Sequence, residues 1–355
     1  WEPLVYQLFN KITHLQIILK SIKHILIIRL SSMGDVAMTV PVIRLVRKHS
    51  PGIKISVLTK PIYQKIFREI EDINLIEFED KGQHKGLIGL MRLNRQLKKT
   101  GIDAVIDLHK VLRTNFLKII WGENFYQIDK GRKEKENLIN GSVFKQLKTS
   151  HQRYLDVFKN IGINTSFSKI DFPKKINLSK QKISNKIDFT KKLIGIAPFA
   201  KHEAKTYSLE QTKKVIGSIS KKYTILLFGG GEHEVKQLKT ISEENENVFS
   251  LAGGASLTCQ LDFISNLDLM ISMDSANGHL AAMYGVKVLT IWGVTHPYAG
   301  FAPFNQSSKY SILVDKNTYP KIPTSIYGNK SPEEYKQAIN TITPKQIIEK
   351  IQEII

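Results

Sequence analysis

Apolar runs of strand length alternate with longer stretches of helical periodicity along this chain, and the alternation occurs twice. The first series opens with residues 24–29 (HILIIR) and the second with residues 193–197 (LIGIA). Strands separated by helices pair in parallel, because each helix returns the chain across one face of the sheet. The pattern predicts an α/β fold of two Rossmann-like domains, with parallel sheets that face a central cleft.

Domain limits follow from where the alternation stops and restarts. Residues 163–192 are rich in Lys, Ser and Asn and lack long periodicity, which indicates an interdomain connection. Thr343 and Pro344 fit the N-cap and the first position of a last helix. The predicted divisions are an N-terminal extension, a first domain, a linker, a second domain and a C-terminal helical segment: 1–23, 24–170, 171–192, 193–330 and 331–355.

Two local signals concern helix geometry. Pro41 lies within a helix predicted from Asp35 to His49, where a proline either kinks the helix or marks its first turns. Ser208 and Gln211 have the spacing of a capping box, which predicts a helix N-terminus between them.

The first 23 residues mix lysines and a histidine with apolar residues. A signal peptide instead places its charges before an uninterrupted apolar core, so none is predicted. No apolar run reaches the roughly 18–20 residues of a membrane-spanning helix. The extension therefore fits either a structural appendage or an amphipathic helix that lies on a membrane.

The chain carries 52 Lys and Arg against 32 Asp and Glu, a formal net charge of +20. Such an excess attracts nucleic acid, an anionic membrane surface or a phosphorylated acceptor, and it also arises from genome composition. The lysines are spread along the chain without a dense aromatic–basic strip, so we expect no nucleic-acid partner. The single cysteine, Cys259, excludes a disulfide framework and a cysteine zinc site and fits a reducing cytoplasm.

Candidate functional residues occupy loops after predicted strands, since parallel sheets bind ligands at the carboxyl ends of their strands. The first loop is SSMGD at 31–35, where Gly34 permits a tight turn and Asp35 begins a helix. Asp35 fits a general base that removes the proton of a hydroxyl group. It also fits a helix N-cap, which the spacing alone favours.

The second loop contains Lys201 and Lys205 and leads into the helix after Ser208. Two cations before a helix N-terminus suit a diphosphate, whose negative charge grows as a glycosidic bond to it breaks. A solvated charged loop is the alternative that these residues leave open.

The third loop, GGGEHE at 229–234, follows a predicted strand. It lacks the last glycine of a dinucleotide fingerprint, because Glu234 stands there, and it lacks the G-K-[ST] ending of a P-loop. Glu232 or Glu234 fits a contact to ribose hydroxyls, and a plain strand–helix turn fits as well.

The fourth loop, DSANGHLAA at 274–282, is the most specific. Small polar residues turn a strand into a helix whose exposed amides suit an anion. His279 lies near the helix start and fits a phosphate contact. A histidine packed on or solvated along a helix is the alternative, but its place after the small-residue turn favours a function.

Four blocks of the sequence resemble glycosyltransferase family 9, the ADP-heptose:lipopolysaccharide heptosyltransferases. In the family's order and spacing, they are HILIIRLSSMGD from 24, DAVIDLHK from 103, IGIAPFAKHEAKTYS from 194 and DLMISMDSANGHLAA from 268. The resemblance covers residues 24–355. It implies the two-domain GT-B architecture and an inverting transfer of heptose from ADP-heptose to a lipopolysaccharide inner-core acceptor, without a cofactor or a metal ion.

The resemblance also implies roles for individual residues. Asp35 becomes the catalytic base on the acceptor side. The implied donor contacts are Lys201, Lys205, Glu232, Glu234, Asp274, Ser275, Ala276 and His279. The implied contacts to an anionic acceptor are His109, Arg113, Lys130 and Arg132. The implied partners are a sugar nucleotide, a lipid-A-linked core oligosaccharide and the anionic inner face of the cytoplasmic membrane.

Two positions depart from the family pattern. Ala276 stands where the family has glycine, and His296 stands where an aspartate more often precedes the proline. These departures keep open a family member that uses another sugar nucleotide for a cell-surface polysaccharide. They also keep open a catalytically silent sugar-nucleotide-binding module. The positive charge leaves a basic nucleic-acid-binding protein as the rival from a different class.

Overall fold

The computed structural model describes residues 22–168 and 170–355. The predicted extension over 1–23, with its two alternatives, lies outside the described residues except for residues 22 and 23. The chain divides into two compact units. The described residues of the first unit are 22–130, 150–168 and 170–171. Those of the second unit are 131–149 and 172–355.

The first unit contains five strands: β1 (His24–Ile28), β2 (Lys54–Thr59), β3 (Ile73–Glu77), β4 (Ala104–Asp107) and β5 (Phe125–Gln127). All pair in parallel, in the order β3-β2-β1-β4-β5. The central strand β1 is buried along its whole length, and its Ile25 lies beside Ile55 on one side and Ala104 on the other. A continuous aliphatic strand of this kind is typical of a parallel sheet covered on both faces.

The second unit contains six strands: β6 (Leu193–Ala197), β7 (Thr224–Leu227), β8 (Val248–Ser250), β9 (Leu269–Met273), β10 (Lys287–Trp292) and β11 (Ser311–Leu313). They also pair in parallel, in the order β11-β10-β9-β6-β7-β8. The strand order reverses between β6 and β9, and a reversal of this kind opens a ligand crevice at the carboxyl ends of parallel strands.

Helices connect the strands in both units. The α-helices are α1 (Met33–Ala37), α2 (Val40–His49), α3 (Gly86–Lys98), α4 (Leu112–Trp121), α5 (Arg132–Ile139), α6 (Ser150–Phe158), α7 (Leu209–Ile219), α8 (Glu232–Glu243), α9 (Leu257–Ile264), α10 (Ala276–Ala282) and α11 (Pro344–Ile354). Short 3₁₀ helices cover Pro61–Phe67, Lys159–Ile161, Lys182–Lys186, Glu203–Lys205, Pro297–Ala299, Ser308–Tyr310, Glu333–Tyr335 and Ala338–Thr341. No helix among the described residues is both long enough and apolar enough to cross a bilayer.

Each unit has its own core, built from one face of its helices against its sheet. In the first unit, Leu90, Leu93 and Leu97 of α3 pack in one cluster with Leu26 and Ile28 of β1. In the second unit, the larger core joins aliphatic residues of β6, β7, β9 and β10 to α7, α8 and α11. These cores fix the strands, and the strands in turn fix the loops at their carboxyl ends.

The observed boundaries differ from the predicted ones in three places. Residues 131–149 belong to the second unit, although the prediction placed them in the first domain. The predicted linker 171–192 packs along the second unit from 172 onward, where the Asn266 side chain donates to the Ile176 carbonyl at 2.8 Å. The predicted C-terminal segment 331–355 is part of the second core, to which Ile339 and Ile347 belong.

The local helix predictions had mixed outcomes. The helix predicted from Asp35 to His49 is two helices, α1 and α2, and Pro41 lies at the start of the second. Thr343 caps α11 and Pro344 is its first residue, as predicted. The capping box of Ser208 and Gln211 is only half formed, because the Gln211 side chain bonds elsewhere.

Candidate functional site

Asp35 lies in the first turn of α1, the helix that follows the central strand β1. Ser32 is the N-cap of α1, and Asp35 is the third residue of that helix. The Ser32 amide and hydroxyl both donate to Asp35 Oδ2, at 3.3 and 2.8 Å. Asp35 is therefore not the N-cap that the spacing favoured, since Ser32 has that position and Asp35 reaches back to it.

A buried arginine fixes the Asp35 carboxylate. Arg29 Nη2 lies 2.6 Å from Asp35 Oδ2, and the arginine side chain is 8% exposed against 26% for the aspartate. Arg29 also donates to the carbonyls of Ser31 and Leu108, at 2.8 and 2.7 Å. Because three groups hold the guanidinium, it presents a fixed donor to a carboxylate that remains more accessible.

Arg29 is charged in spite of its burial. Burial lowers its pKa, but the neighbouring Tyr154, Asp35 and Asp107 outweigh that effect, and the pKa is raised overall. The guanidinium carbon lies 5.8 Å from the centre of the Tyr154 ring. A permanent buried cation thus lies behind Asp35.

His109 lies in the loop after β4. The Asp107 carboxylate accepts from the backbone amides of His109 and Lys110, at 2.9 and 3.0 Å, which shapes this loop. Burial above all, together with the charges of Arg29 and Lys130, lowers the pKa of His109 to about 3. At neutral pH the imidazole is therefore neutral and offers hydrogen bonds rather than a positive charge.

Arg113 lies near the start of α4 and is exposed. Its Nη1 is 3.6 Å from Asp80 Oδ2, and Lys60 Nζ approaches the same oxygen to 2.6 Å. The Lys60 hydrogen bond is the main cause of a lowered pKa at Asp80. One carboxylate thus joins the loop after β2, the loop after β3 and the start of α4.

The remaining two candidates for acceptor contacts fall in different units. Lys130 is half-buried in the first unit and contributes to the lowered pKa of His109. Arg132 is exposed as the first residue of α5, which belongs to the second unit. The boundary between the two units therefore runs between Lys130 and Arg132.

Lys205 is buried at the carboxyl edge of the second sheet. Its Nζ donates to the backbone carbonyl of Asp274 at 2.8 Å and to Asp274 Oδ2 at 3.1 Å. Thr295 Oγ1 donates to the same carboxylate oxygen at 2.9 Å. The Lys205 and Asp274 side chains are 11% and 12% exposed, so loops after β6, β9 and β10 meet at one buried ion pair.

Gly328 determines how the Lys205 side chain runs. Gly328 has φ +76°, and a Cβ atom at that position would lie 2.5 Å from Lys205 Cδ and 2.6 Å from Cγ. Any other residue would be strained and would displace the aliphatic part of the lysine. The close approach of this glycine therefore confines the ammonium group.

The C-terminal part of the chain holds the loop that follows Lys205. Asn340 Oδ1 accepts from the Ser208 amide at 2.8 Å, and the Asn340 carbonyl accepts from Gln211 Nε2 at 3.0 Å. Tyr207 Oη donates to the Ile342 carbonyl at 2.7 Å. These bonds explain the half-formed capping box, since Gln211 bonds Asn340 instead of returning to Ser208.

Three donor candidates lie on more open parts of the second unit. Lys201 is exposed at the start of the Lys205 loop, and Glu232 is exposed as the first residue of α8. Glu234 Oε2 accepts from the Gly230 amide at 2.8 Å and so closes its own turn. Glu232 is therefore the better placed of the two carboxylates for a ligand.

The turn after β9 leads directly into the seven-residue helix α10. Ser275 is the N-cap and Ala276 the first helical residue, while His279 is the fourth residue and is buried. The buried Ser275 Oγ has no hydrogen-bond partner among the described residues. A hydroxyl of this kind, one residue after Asp274, is suited to a polar ligand.

His296, the second departure, is buried beside Phe144 and Tyr298, with ring centroids 5.1 and 4.4 Å away. Burial, followed by the charge of Lys316, lowers its pKa to about 4. His296 is therefore neutral at neutral pH, and its Nδ1 accepts from the Tyr298 amide at 3.2 Å. Among residues 22–168 and 170–355, no group of three His, Cys, Asp or Glu side chains is arranged to hold a metal ion.

Several of these contacts were not predicted. Arg29, Asp80 and Thr295 contact candidate residues, yet none was singled out from the sequence. The same holds for Lys60, which pairs with Asp80, and for Asn340, which bonds Ser208 in the loop after Lys205. Arg29 could have been recognised as a candidate from the sequence, because it is a charged residue that directly follows a run of aliphatic residues. The other four meet their partners only through the fold.

Solved structures first define the class of fold. A glycosyltransferase of family 9 from Veillonella parvula superposes with a TM-score of 0.72 at 20% identity, covering 94% of this chain and 97% of that one. The E. coli heptosyltransferase WaaC, solved with ADP, superposes with a TM-score of 0.68 at 18% identity, covering 94% of this chain and 100% of that one. The predicted architecture of two parallel-sheet α/β domains is thereby confirmed.

Sequence comparison defines the family. The family model for glycosyltransferase family 9 (heptosyltransferase) matches residues 90–332, so the chain belongs to this family. The lipooligosaccharide heptosyltransferase 2 of Campylobacter jejuni is 22% identical over 333 residues, which span 91% of this chain and 96% of the relative. The predicted family and its class of enzyme, a glycosyltransferase, are confirmed.

Proposed function

We propose that this protein transfers a heptose from ADP-heptose to a lipopolysaccharide-type inner-core acceptor, with inversion at the anomeric carbon. Membership of the heptosyltransferase family supports the reaction class, and the relative solved with ADP supports the donor nucleotide. The buried Lys205–Asp274 ion pair at the carboxyl edge of the second sheet is the observation that carries the proposal.

The Lys205 ammonium stabilises the departing diphosphate. As the bond between the anomeric carbon and the phosphate oxygen breaks, its electron pair stays with ADP, and negative charge grows on that oxygen. An ammonium already fixed by Asp274 needs no reorganisation to meet this charge, which is the condition for effective electrostatic stabilisation. Lys205 then has the charge-neutralising role that a divalent cation has in other transferases.

Other residues of the second unit bind the rest of the donor. The Ser275 hydroxyl offers a hydrogen bond to a phosphate oxygen or a sugar hydroxyl, and Ala276 and His279 line the same turn. Lys201 adds positive charge, and Glu232 accepts from ribose hydroxyls. Glu234 acts through the turn that it closes at Gly230.

Asp35 is the general base. It takes the proton of the acceptor hydroxyl as that oxygen forms its bond to the anomeric carbon, on the side opposite the leaving ADP. Arg29 and Ser32 hold one carboxylate oxygen in place and so orient the group for this transfer. Arg29 does not contact substrate and is a positioning residue.

The acceptor is an anionic core oligosaccharide on lipid A, and the protein acts at the cytoplasmic face of the inner membrane. Arg113 and Lys130 supply positive charge to this acceptor, and His109 supplies a neutral hydrogen-bonding group. Arg132 is the fourth residue that we assign to acceptor binding.

A donor screen tests the proposal. Purified protein is incubated with a lipid-A-linked core acceptor and with ADP-heptose, UDP-sugars or GDP-sugars, in the presence of a metal chelator. We expect turnover with ADP-heptose alone, unchanged by the chelator, and NMR of the product gives the anomeric configuration. Turnover with only a UDP- or GDP-sugar overturns the donor assignment, and retention of configuration overturns the direct displacement by the acceptor.

One observation favours an alternative donor, a sugar nucleotide other than ADP-heptose. Ala276 adds a methyl group at the first position of α10, directly after Ser275, where the family pattern has glycine. A donor with a smaller or differently placed substituent would suit that position. The Ala276→Gly variant distinguishes the two donors. An enzyme for ADP-heptose should keep its donor preference in this variant, whereas an enzyme adapted to another sugar nucleotide should change it.

A further inference from the structure

The first unit exposes a set of large aliphatic side chains. The aliphatic patch comprises Ile62, Leu87, Ile88, Met91 and Leu112, whose exposed fractions range from 52% to 88%. Ile62 follows β2, Leu87 begins the run on α3 after β3, and Leu112 is the first residue of α4 after β4. Elements that follow parallel strands begin at the carboxyl edge of the sheet, so the patch lies along one edge.

The patch belongs to a fixed part of the fold. The opposite side of α3 already fills the core with Leu90, Leu93 and Leu97. A Cβ atom at Gly89 would lie 2.4 Å from the backbone carbon of His84, so the helix start is packed tightly on the preceding loop. The outward aliphatic residues therefore have no place left in the core of this unit.

Hydrogen bonds and ion pairs bring the parts of the patch together. Asp80 pairs with both Lys60, two residues before Ile62, and Arg113, the residue after Leu112. Asn94 of α3 donates to the Ile120 carbonyl of α4 at 3.3 Å, so the two helices lie side by side. The patch is thus one surface built from three elements.

The surroundings of the patch are cationic. Residues 81–102 contain six Lys and Arg and no Asp or Glu, and residues 110–122 contain three Lys and Arg and again no acid. On α3, the exposed Arg92, Arg95 and Lys98 follow Leu87 by five, eight and eleven residues. At 1.5 Å per residue they lie about 7, 12 and 16 Å further along the helix.

We propose that this edge of the first unit binds an anionic phospholipid bilayer, with the aliphatic patch inserted among the acyl chains and the flanking Lys and Arg at the headgroups. With the start of α3 pointing into the bilayer, insertion to the depth of about 5–10 Å that interfacial apolar groups reach places Arg92 at headgroup level. Anionic lipid also attracts each basic residue near the surface. A second copy of the chain is a poorer partner, since its own cationic edge would repel this one.

The membrane role of this surface rests on the proposed function. Arg113 joins the patch to the predicted acceptor contacts, and the proposed acceptor is anchored in the same bilayer. Binding to lipid vesicles can nevertheless be measured without turnover, so the two proposals fail independently.

Vesicle co-sedimentation tests the proposal with the full chain. We expect binding to vesicles that contain phosphatidylglycerol, weaker binding to pure phosphatidylcholine, and a loss of binding with added salt. The variant Leu87→Ser with Ile88→Ser should bind phosphatidylglycerol vesicles about tenfold or more weakly. Charge reversal by Arg92→Glu with Arg95→Glu should weaken binding about tenfold at low salt.

A matched control lies in the second unit. Phe189 is an exposed aromatic residue beside Lys191, so Phe189→Ser with Lys191→Glu removes the same two kinds of contact from another surface. This control should bind vesicles as the unchanged protein does. The proposal is overturned if the unchanged protein does not bind phosphatidylglycerol vesicles, if the α3 variants bind them equally well, or if only the control loses binding.

Two further readouts separate the alternatives. Light scattering after gel filtration should give the same mass for all variants. If the α3 variants alone have a lower mass and still bind vesicles, the patch is a self-association surface instead. Turnover of a deacylated, water-soluble acceptor should be unchanged by Leu87→Ser with Ile88→Ser, whereas the KM for a vesicle-embedded acceptor should rise. Equal loss on both acceptors overturns the membrane role.

Discussion

Both units hold a charged candidate residue in an ion pair at the carboxyl edge of the sheet, but they distribute burial differently. In the first unit the supporting Arg29 is buried, and the candidate base Asp35 is about three times more exposed, 26% against 8%. In the second unit Lys205 and Asp274 are buried alike, at 11% and 12%. A base must reach a substrate proton, whereas an electrostatic stabiliser acts best where water is excluded. The contrast matches the two proposed roles.

The largest effect is expected from Asp35→Asn. The amide keeps the shape of the side chain but cannot take a proton, so kcat should fall about a hundredfold to ten-thousandfold. ADP affinity, measured by calorimetry, should stay unchanged because the donor residues lie on the second unit. Unchanged turnover would show that Asp35 is not the base. Loss of ADP binding would contradict the assignment of donor binding to the second unit alone.

The next largest effect concerns the buried cation itself. Arg29→Met should lower the free energy of unfolding by about 3 kcal/mol, because it removes two carbonyl contacts and the partner of a carboxylate. Chemical denaturation measures this loss. Arg29→Lys keeps the charge and should recover part of both stability and kcat. A loss below about 1 kcal/mol for Arg29→Met would show that the pair is weakly coupled to the fold.

Much of the fold was predictable from the sequence, whereas the contacts that hold the candidate residues in place were not. Apolar runs such as 25–28 and 193–197 indicate strands locally, because a strand that is buried on both faces has apolar residues at successive positions. The partner of Lys205 is 69 positions away, and nothing in the local spacing indicates it. Asp35 and Lys205 were found from their motifs, whereas the groups that hold them depend on the tertiary structure.

Two further features could not be predicted from the sequence, for the same physical reason. The apolar start of α3 looks like core in the sequence, yet Leu87 and Ile88 are exposed, because Leu90, Leu93 and Leu97 already fill the inner face. The predicted linker lacks periodicity, but it packs along the second unit through backbone bonds that leave no side-chain pattern. A sequence pattern shows which residues are apolar, but it does not show which apolar side chains the fold leaves exposed or where backbone groups bond.

The donor side is tested by Lys205→Ala with Lys201→Ala as its control. Loss of the buried ammonium should raise the Kd for ADP about tenfold to a hundredfold. The exposed Lys201 lies in the same loop, and its removal should change the Kd less than about threefold. Equal effects of the two variants would mean that charge in the loop, rather than the buried pair, determines ADP affinity. Thermal unfolding of both variants checks that the fold is intact.

Each unit also contains a histidine whose pKa is lowered by burial, about 3 for His109 and about 4 for His296. An unfolded histidine takes its proton near its ordinary pKa of 6.5. Below that pH the unfolded chain binds more protons than the folded one, so stability is full above 6.5 and falls as pH decreases. Denaturation midpoints of His109→Gln and His296→Gln should depend less on pH in this window. An unchanged pH slope in both would contradict the two assignments.

The smallest effect is expected from Thr295→Val. Its hydroxyl donates to Asp274 Oδ2, and the Lys205 ammonium, which donates to the same oxygen, remains after the exchange. Removal should cost about 1 kcal/mol of stability and raise the Kd for ADP slightly. Thr295→Ser keeps the hydroxyl and should behave like the unchanged protein. A larger loss in the serine variant than in the valine variant would mean that packing, rather than the hydrogen bond, is what matters at this position.

The bonds from Asn340 and Ile342 to residues 207–211 have a consequence for how relatives diverge. Substitutions near the end of the chain, at positions that meet no substrate, can shift the backbone beside Lys205 and so change how strongly the nucleotide is retained. Two relatives with identical nucleotide contacts can therefore differ in product release. Comparison of such enzymes should extend to this distant stretch as well as to the residues that touch the sugar or its phosphates.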